Sequence, residues 1–337
     1  MSTTDSPPGG GVRIGVALPQ VFSDGRPDPQ MIADYAARAE SLGIDSLWVQ
    51  SQLIGQAAVL DPITLLAFAA AATERIRLGA SVLIAPEYHP VQLAKQLSSL
   101  DRLSAGRLTV GLGTGSPNST YEIKGLPRDR AVRRLVECIE VMRALWTEPQ
   151  ASYEGDFYAV DALPMEPKPV QRPGPPLWLG GRSENALRRA ARYGSGWMGP
   201  GASTMEMFRS QVAELRGFLD EAGRGDAPFT IAKRLYVAVE ESEAAARERM
   251  RTRLQRYGHQ HGQAEQVAVY GTSAQVADGL AAAAGFLESI EGPGDRLLML
   301  SPIHDFPGQL DALGDILRSS GILGRPVPAA TGAAPSG

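Results

Sequence analysis

The chain has 337 residues, 43% of them hydrophobic, and a formal net charge of −4, so it can bury one large α/β barrel or two ordinary domains, and no basic stripe recommends nucleic acid as a partner. Its single cysteine, Cys138, excludes an intramolecular disulfide framework and a cysteine-rich metal site. No apolar run approaches the ~20 residues of a membrane span, and MSTTDSPPGGG has no apolar signal core, so a cytoplasmic protein with no membrane partner is expected.

Residues 1–11 are expected to be disordered. Val12 to Leu18 is a short apolar strand closed by Pro19. Asp28-Pro29 opens a helix with a stripe of Ile32, Tyr35, Ala36 and Ala39, and Gly43 stops it. Asp45 to Val49 is a second strand. Asp61-Pro62 combines a cap with a first-turn proline and leads into an alanine-rich helix ending near Glu74. Leu78 to Ile84 is the third strand and Leu108 to Leu112 the fourth. Between them Val91, Ala94, Leu97 and Leu100 recur at helical spacing after His89-Pro90. That connection suits a parallel crossover rather than a hairpin. From Arg130 to Trp146 an apolar face of period near 3.6 predicts another helix; Cys138 lies on it in a packing position.

Gln150 to Pro176 breaks the alternation. It carries Tyr153, Phe157 and Tyr158 around Glu154-Gly155-Asp156, then six prolines from Pro164 onward, which predicts a small hairpin and an extended segment inserted into the main architecture. The alternation resumes with a strand at Leu177 to Leu179, a helix begun by Ser183, and a very short strand at Gly196 to Gly199. Ser203 with Glu206 reads as a capping box for a helix reaching Glu221. Phe229 to Val239 is the seventh strand, with a charged helix from Ser242. Thr272 with Gln275 is a second capping box, for a helix to about Leu287. Arg296 to Leu300 is the last strand and Pro307 to Ser319 the last helix. Eight strands alternating with helices predict a closed (β/α)₈ TIM barrel over residues 12–323 with a hairpin-containing insertion at about 150–176. An open doubly wound sheet is the alternative. Residues 324–337, rich in proline, glycine and alanine, are expected to be disordered.

Ligands of parallel α/β folds sit outside the carboxyl ends of the strands. Two strands there end in glycine. Gly111 to Gly115 is not a dinucleotide fingerprint, because Ser116-Pro117-Asn118 follows where a helix should begin. Leu179-Gly180-Gly181-Arg182-Ser183 runs from a strand into a helix N-terminus, whose free N–H groups and dipole suit a phosphate, with Arg182 available for a charge-assisted contact. A tight turn capped by Ser183 is the plainer reading. His89 is either a proton donor or a satisfied residue at the helix start. His259 and His261 lie in a polar loop without an acidic cluster, so no metal site is expected. His304 follows the eighth strand, where the pocket opens. There is no G-x-S-x-G elbow, and no carboxylate pair of the kind glycoside hydrolysis requires falls at strand ends. Trp48, Trp178 and Trp197 are packing residues, or one of them flanks a flat ring.

Several long segments in order carry a resemblance: SLGIDSLWV, DPITLLAFAAAATERIRLGASVL, HPVQLAKQLSSLDRLSAGRLTVGLGTG, and YEGDFY followed by PKPVQRPGPPLWLGGRSENALRRAARYGSGWM. Over about Val12 to Leu323 the chain resembles the bacterial luciferase-like superfamily of flavin monooxygenases and deazaflavin oxidoreductases. The resemblance implies a TIM barrel with insertions and a non-proline cis peptide at Ser81-Val82, forming a bulge that supports the ring. It places Gly113, Thr114 and Gly115 near the ring, Gly180, Gly181, Arg182 and Ser183 at the phosphate, and Trp197, Met198 and Gly199 at the neighbouring strand end. Many relatives carry an Asp-His pair after the second strand. This chain has Ser51 beside the cofactor and Gln52 in the catalytic position, and Gln52 can donate and accept a hydrogen bond but cannot shuttle a proton.

The leading expectation is therefore an oxidoreductase that uses coenzyme F-420 for hydride transfer to a C=C or C=N bond of a small organic substrate, with Glu87, Tyr88 or His89 as proton donor. The rival is an FMNH₂-dependent monooxygenase using molecular oxygen, served by a separate reductase. A catalytically silent flavin-binding protein is the third reading. The resemblance implies a homodimer. Specificity is expected in the loops Gln50 to Leu60, Ser116 to Arg130 and Tyr257 to Tyr270.

Overall fold

The computed structural model describes residues 11–22, 24–51, 58–115, 121, 125–126, 129–255 and 263–323. The expectations of disorder for residues 1–10 and 324–337, and those for His259 and His261, lie outside the described residues. Eight parallel strands form a closed ring: β1 (Arg13–Ala17), β2 (Ser46–Val49), β3 (Arg77–Ile84), β4 (Leu108–Gly113), β5 (Leu177–Gly180), β6 (Gly196–Gly199), β7 (Thr230–Val239) and β8 (Arg296–Pro302). Each pairs with the next, and β8 returns to β1. The outer layer comprises α1 (Pro29–Leu42), α2 (Pro62–Ala71), α3 (Pro90–Leu103), α4 (Ala131–Thr147), α5 (Glu184–Tyr193), α6 (Met205–Glu221), α7 (Glu243–Gln255), α8 (Ser273–Glu288) and α9 (Phe306–Ser319), with one short turn of helix at Gln263–Val267. The expected closed barrel is the observed one, and the open sheet is excluded.

The caps explain where most helices begin. Asp28 accepts from the amides of Gln30 and Met31, and Asp61 from that of Thr64, each with proline in the first turn. Gly43 ends α1 at φ 84°, a left-handed conformation that costs glycine little. The Thr272–Gln275 capping box is formed in full.

The Ser203 box is not. Thr204 is the N-cap of α6 and accepts from Met207 N, while Ser203 is fully buried and its carbonyl serves Lys233. A further departure is the strand Ala268–Gly271, which overlaps the segment Tyr257 to Tyr270 read as a loop. Strand β6 covers only Thr230 to Lys233 of the ten-residue β7. The vacant edge from Tyr236 to Val239 therefore accepts Ala268–Gly271 instead, because buried backbone groups need partners.

The barrel interior is closed by two indoles. Trp48 and Trp178 stack with centroids 5.1 Å apart and planes at 29°, among Met198, Ala232, Leu297 and Met299. Smaller residues on three other strands make room. A Cβ on Gly15 would lie 2.6 Å from Trp48 Nε1, one on Gly79 2.4 Å from Trp48 Cζ3, and one on Gly196 2.7 Å from Trp178 Cδ1. Below this plug, at the amino ends of the strands, a funnel of about 1470 Å³ including open space contains two ion pairs, Arg13–Asp295 at 2.9 Å and Arg77–Asp45. Ligand-binding loops of barrels lie at the opposite end, and the lower face is ordinarily the stability face.

Buried charges fasten the insertion. Ala151–Glu154 and Ala159–Leu163 form the expected antiparallel hairpin. At its turn the fully buried Glu137 of α4 accepts from the amides of Asp156 and Phe157, both at 2.9 Å. Asp101 of α3, also fully buried, accepts from Val170 N at 2.7 Å and Gln171 N at 3.0 Å. Charge-assisted bonds of this kind offset the desolvation of a buried carboxylate.

Lys233, on the outer side of β7, is fully buried and pairs with no carboxylate among the described residues. Burial, reinforced by the adjacent Arg234, pushes its pKa down from 10.5 to about 7. Between those values the unfolded chain holds a proton that the folded protein lacks, so stability rises with pH there, by at most about 1.4 kcal/mol per pH unit. Cys138, pushed up to about 12 by burial, opposes the trend only above its ordinary value of 9.0. Denaturation of Lys233→Met from pH 7 to 9 should therefore show a flatter stability profile than the parent; an unchanged slope would contradict the assignment. Gly79→Ala should destabilise by about 1–3 kcal/mol through overpacking against Trp48, read as a lower urea midpoint at unchanged m.

Candidate functional site

The carboxyl ends of the strands meet above the tryptophan plug. There β3 bulges: the register with β4 shifts between Ala80 and Leu83, and the Ser81–Val82 peptide is cis. The bulge turns Val82 into the mouth. A Cβ on Gly113 would lie 2.8 Å from Val82 Cγ2, and one on Gly180 2.8 Å from Val82 Cγ1. A Cβ on Gly111 would meet Ala80 O at 2.2 Å. These glycines accommodate the bulge itself, and Val82, still partly exposed, becomes an apolar floor. The carbonyl of Val82 accepts from Ser51 N at 3.2 Å, tying the end of β2 to the bulge. Thr114 and Gly115 continue from β4; Gly115 has φ 77°, and the Thr114 carbonyl accepts from the Tyr121 hydroxyl at 2.7 Å.

On the β5 side, the turn at Gly181 to Ser183 is held from behind. Trp197 Nε1 donates to Gly181 O at 2.9 Å and Gln211 Nε2 to Arg182 O at 3.0 Å, while Ser183 caps α5. Gly181 has φ 130°, and a Cβ there would lie 2.6 Å from Ala186 Cβ. A phosphate suits this turn, because its carbonyls are taken up by buried donors and the amides of the same peptide units face the other way. Trp197 takes part only as a support, because it is fully buried and stacked on Phe208 at 5.4 Å. Gly199 adjoins the same Phe208 ring, and Met198 faces the barrel interior beside the plug. Arg182 and Ser183 are exposed.

The proton-donor candidates separate. Gln52 lies outside the described residues. Glu87 is buried in a single 3₁₀ turn. His89 is exposed, makes no side-chain cap, and sets its ring edge-on to Tyr158 of the hairpin at 5.8 Å. Tyr88 meets the end of β2 through a side-chain hydrogen bond with Ser51, and burial raises its pKa. His304 Nε2 lies 2.6 Å from Glu240 Oε1, which also takes Arg249 Nε at 2.9 Å. Burial and Arg249 lower the His304 pKa despite that carboxylate.

The residue that the sequence did not single out is Arg234. Period-two alternation along β7 puts Ala232, Arg234 and Tyr236 on the inner face. Arg234 Nε donates to Ser301 Oγ at 3.0 Å and Nη1 to Gln50 Oε1 at 2.9 Å, with Cζ 5.1 Å from the Tyr236 ring centroid. Gln20 fixes that corner by donating to Gln50 O at 2.8 Å and accepting from Gln50 N at 2.9 Å. Among the described residues no carboxylate neutralises Arg234, and its second amino group has no partner. It lines a small cleft, about 450 Å³ including open space, with Ala17, Trp48, Gln50, Tyr236 and Ser301. The available signal was an arginine at an inward position of a strand whose other inward residues, Ala232 and Tyr236, carry no charge. No group of three or more histidine, cysteine or acidic side chains among the described residues could hold a metal ion, and no helix among them is long and apolar enough to cross a membrane.

Comparison with known proteins agrees with this architecture. An uncharacterized protein of Mycobacterium tuberculosis (strain ATCC 25618 / H37Rv) is 36% identical over 172 residues, 51% of this chain and 58% of that one. An FMNH(2)-dependent dimethylsulfone monooxygenase of Pseudomonas putida is 32% identical over 180 residues, 52% of this chain and 48% of that one. The chain thus spans about half the length of these curated relatives. An F420-dependent secondary alcohol dehydrogenase, solved with an F420-acetone adduct, superposes with a TM-score of 0.76 at 18% identity, over 92% of this chain and 99% of that one. Residues 12–293 match the model of the luciferase-like monooxygenase family, and the chain belongs to that family.

Proposed function

We propose that this protein is an oxidoreductase that binds reduced coenzyme F-420 across the barrel mouth and serves hydride transfer to a C=C or C=N bond of a small organic substrate. The observation that carries the reading is Arg234, a guanidinium above the plug held, among the described residues, by neutral acceptors alone. Its unpartnered amino group is available to a substrate oxygen or nitrogen on which negative charge develops. Preorganised donors aimed at developing charge are often the largest single contribution to catalysis. The residues at the mouth fit the cofactor: Val82 supplies an apolar floor, and the turn at Gly181 to Ser183 suits a phosphate. The bound deazaflavin would supply the hydride. Tyr88, joined to Ser51, is the hydroxyl placed to hold or deliver a proton at that side of the mouth. Gln50 and Ser301 orient Arg234 without neutralising it.

The similarity to the dimethylsulfone monooxygenase favours a second reading, an FMNH₂-dependent monooxygenase supplied by a separate reductase. Titrating the protein with F-420 and FMN, then measuring oxygen uptake with each reduced cofactor, separates the two: tight FMN binding with oxygen consumption would replace the first. On the first reading, Arg234→Met should lower turnover by about 10²–10³ with little change in cofactor affinity, and Arg234→Lys should recover part of the loss. An unaffected turnover would remove Arg234 from the mechanism.

A further inference from the structure

Lys233 is a large ionisable side chain buried in the layer between barrel and helices, and the chemistry of the mouth has not used it. Its Nζ donates to Pro200 O at 2.8 Å and to Ser203 O at 2.7 Å, 5.4 Å from the Phe208 ring centroid. Both carbonyls belong to the turn between β6 and α6. That turn reaches the mouth: a Cβ on Gly201 would lie 3.0 Å from Tyr236 Cε2, and Tyr236 lines the same cleft as Arg234.

The turn after β5 is built in the same way. Trp197 and Gln211 draw the carbonyls of Gly181 and Arg182 inward, as Lys233 draws those of Pro200 and Ser203. In a trans peptide the C=O and N–H of one unit point in opposite directions. The N–H groups of Arg182, Ser183, Gly201 and Thr204 therefore point away from the buried donors. Strands β5 and β6 are paired neighbours, with Gly180 opposite Met198, so the two turns stand side by side. Converging main-chain amides make an anion-binding concavity.

We propose that Lys233 is a positioning residue: by fastening the carbonyls of Pro200 and Ser203 it makes the turn after β6 the second wall of an anion cradle, facing the turn at Gly181 to Ser183, and the two walls together grip the phosphate-bearing tail of the cofactor. The proposal rests on the cofactor reading above and extends it from one phosphate loop to two. Lys233 touches no ligand itself; its effect passes through the two carbonyls.

Hydrogen exchange on the unmodified protein tests this directly. Coenzyme F-420 and FMN are each compared with their phosphate-free counterparts, 8-hydroxy-5-deazariboflavin and riboflavin. The tailed ligand should slow exchange at Gly201 and Thr204 as well as at Arg182 and Ser183, and the tail-less ligand at none of the four. Protection confined to Arg182 and Ser183 would overturn the second wall. In parallel, Lys233→Met should weaken binding of the tailed ligand roughly ten-fold or more and leave the tail-less one within about two-fold. Equal losses for both would reduce Lys233 to a general structural role and overturn the proposal. If neither ligand pair binds the unmodified protein, the cofactor reading itself fails, a result distinct from either of these.

Discussion

The stacked pair of Trp48 and Trp178 is the contact around which this barrel is built. Two indoles cannot share the centre of an eight-stranded ring unless neighbouring strands contribute almost no side chain, and Gly15, Gly79 and Gly196 meet that requirement on β1, β3 and β6. Aromatic pairs in offset stacking add to the large apolar area they bury. The plug also divides the interior. Below it lie ion pairs that are already satisfied; above it stands an arginine with no carboxylate partner among the described residues. The proposed substrate chemistry therefore uses the upper compartment.

The mouth follows the same logic of small residues yielding to a larger neighbour. Gly111, Gly113 and Gly180 make room for the Ala80–Val82 bulge. A glycine-rich strand end here marks where another strand intrudes, and only through that intrusion does it shape a surface for a planar ring. Buried polar groups complete the site from behind. Trp197, Gln211 and Lys233 each turn carbonyls inward, so donors in the layer between barrel and helices set which backbone atoms face a ligand. An FMNH(2)-dependent and an F420-dependent enzyme both occur among the proteins similar to this one.

Much of this was legible along the chain. The alternation of apolar strands with 3.6-period stripes, the Asp-Pro helix starts and the Thr272–Gln275 box are encoded within a few residues of one another, and they specified the closed barrel and its hairpin insertion. The glycine turn at Gly180-Gly181 and the segments shared with the luciferase-like family pointed to the carboxyl end of the barrel strands, where the proposed site lies.

What stayed hidden depends on partners far apart in sequence. Ser203 reads as a cap until Lys233, thirty residues later, claims its carbonyl. The strand Ala268–Gly271 is invisible until the upper half of β7 is seen to lack a neighbour. Arg234 becomes a candidate site residue only through Gln50, 184 positions away. Local pattern determines which residues form strands and helices, because backbone hydrogen bonding and side-chain periodicity act over one or two turns. Which buried donor meets which carbonyl, and which charge is left without a counter-ion, is decided only when the ring closes and brings distant strands within hydrogen-bonding distance.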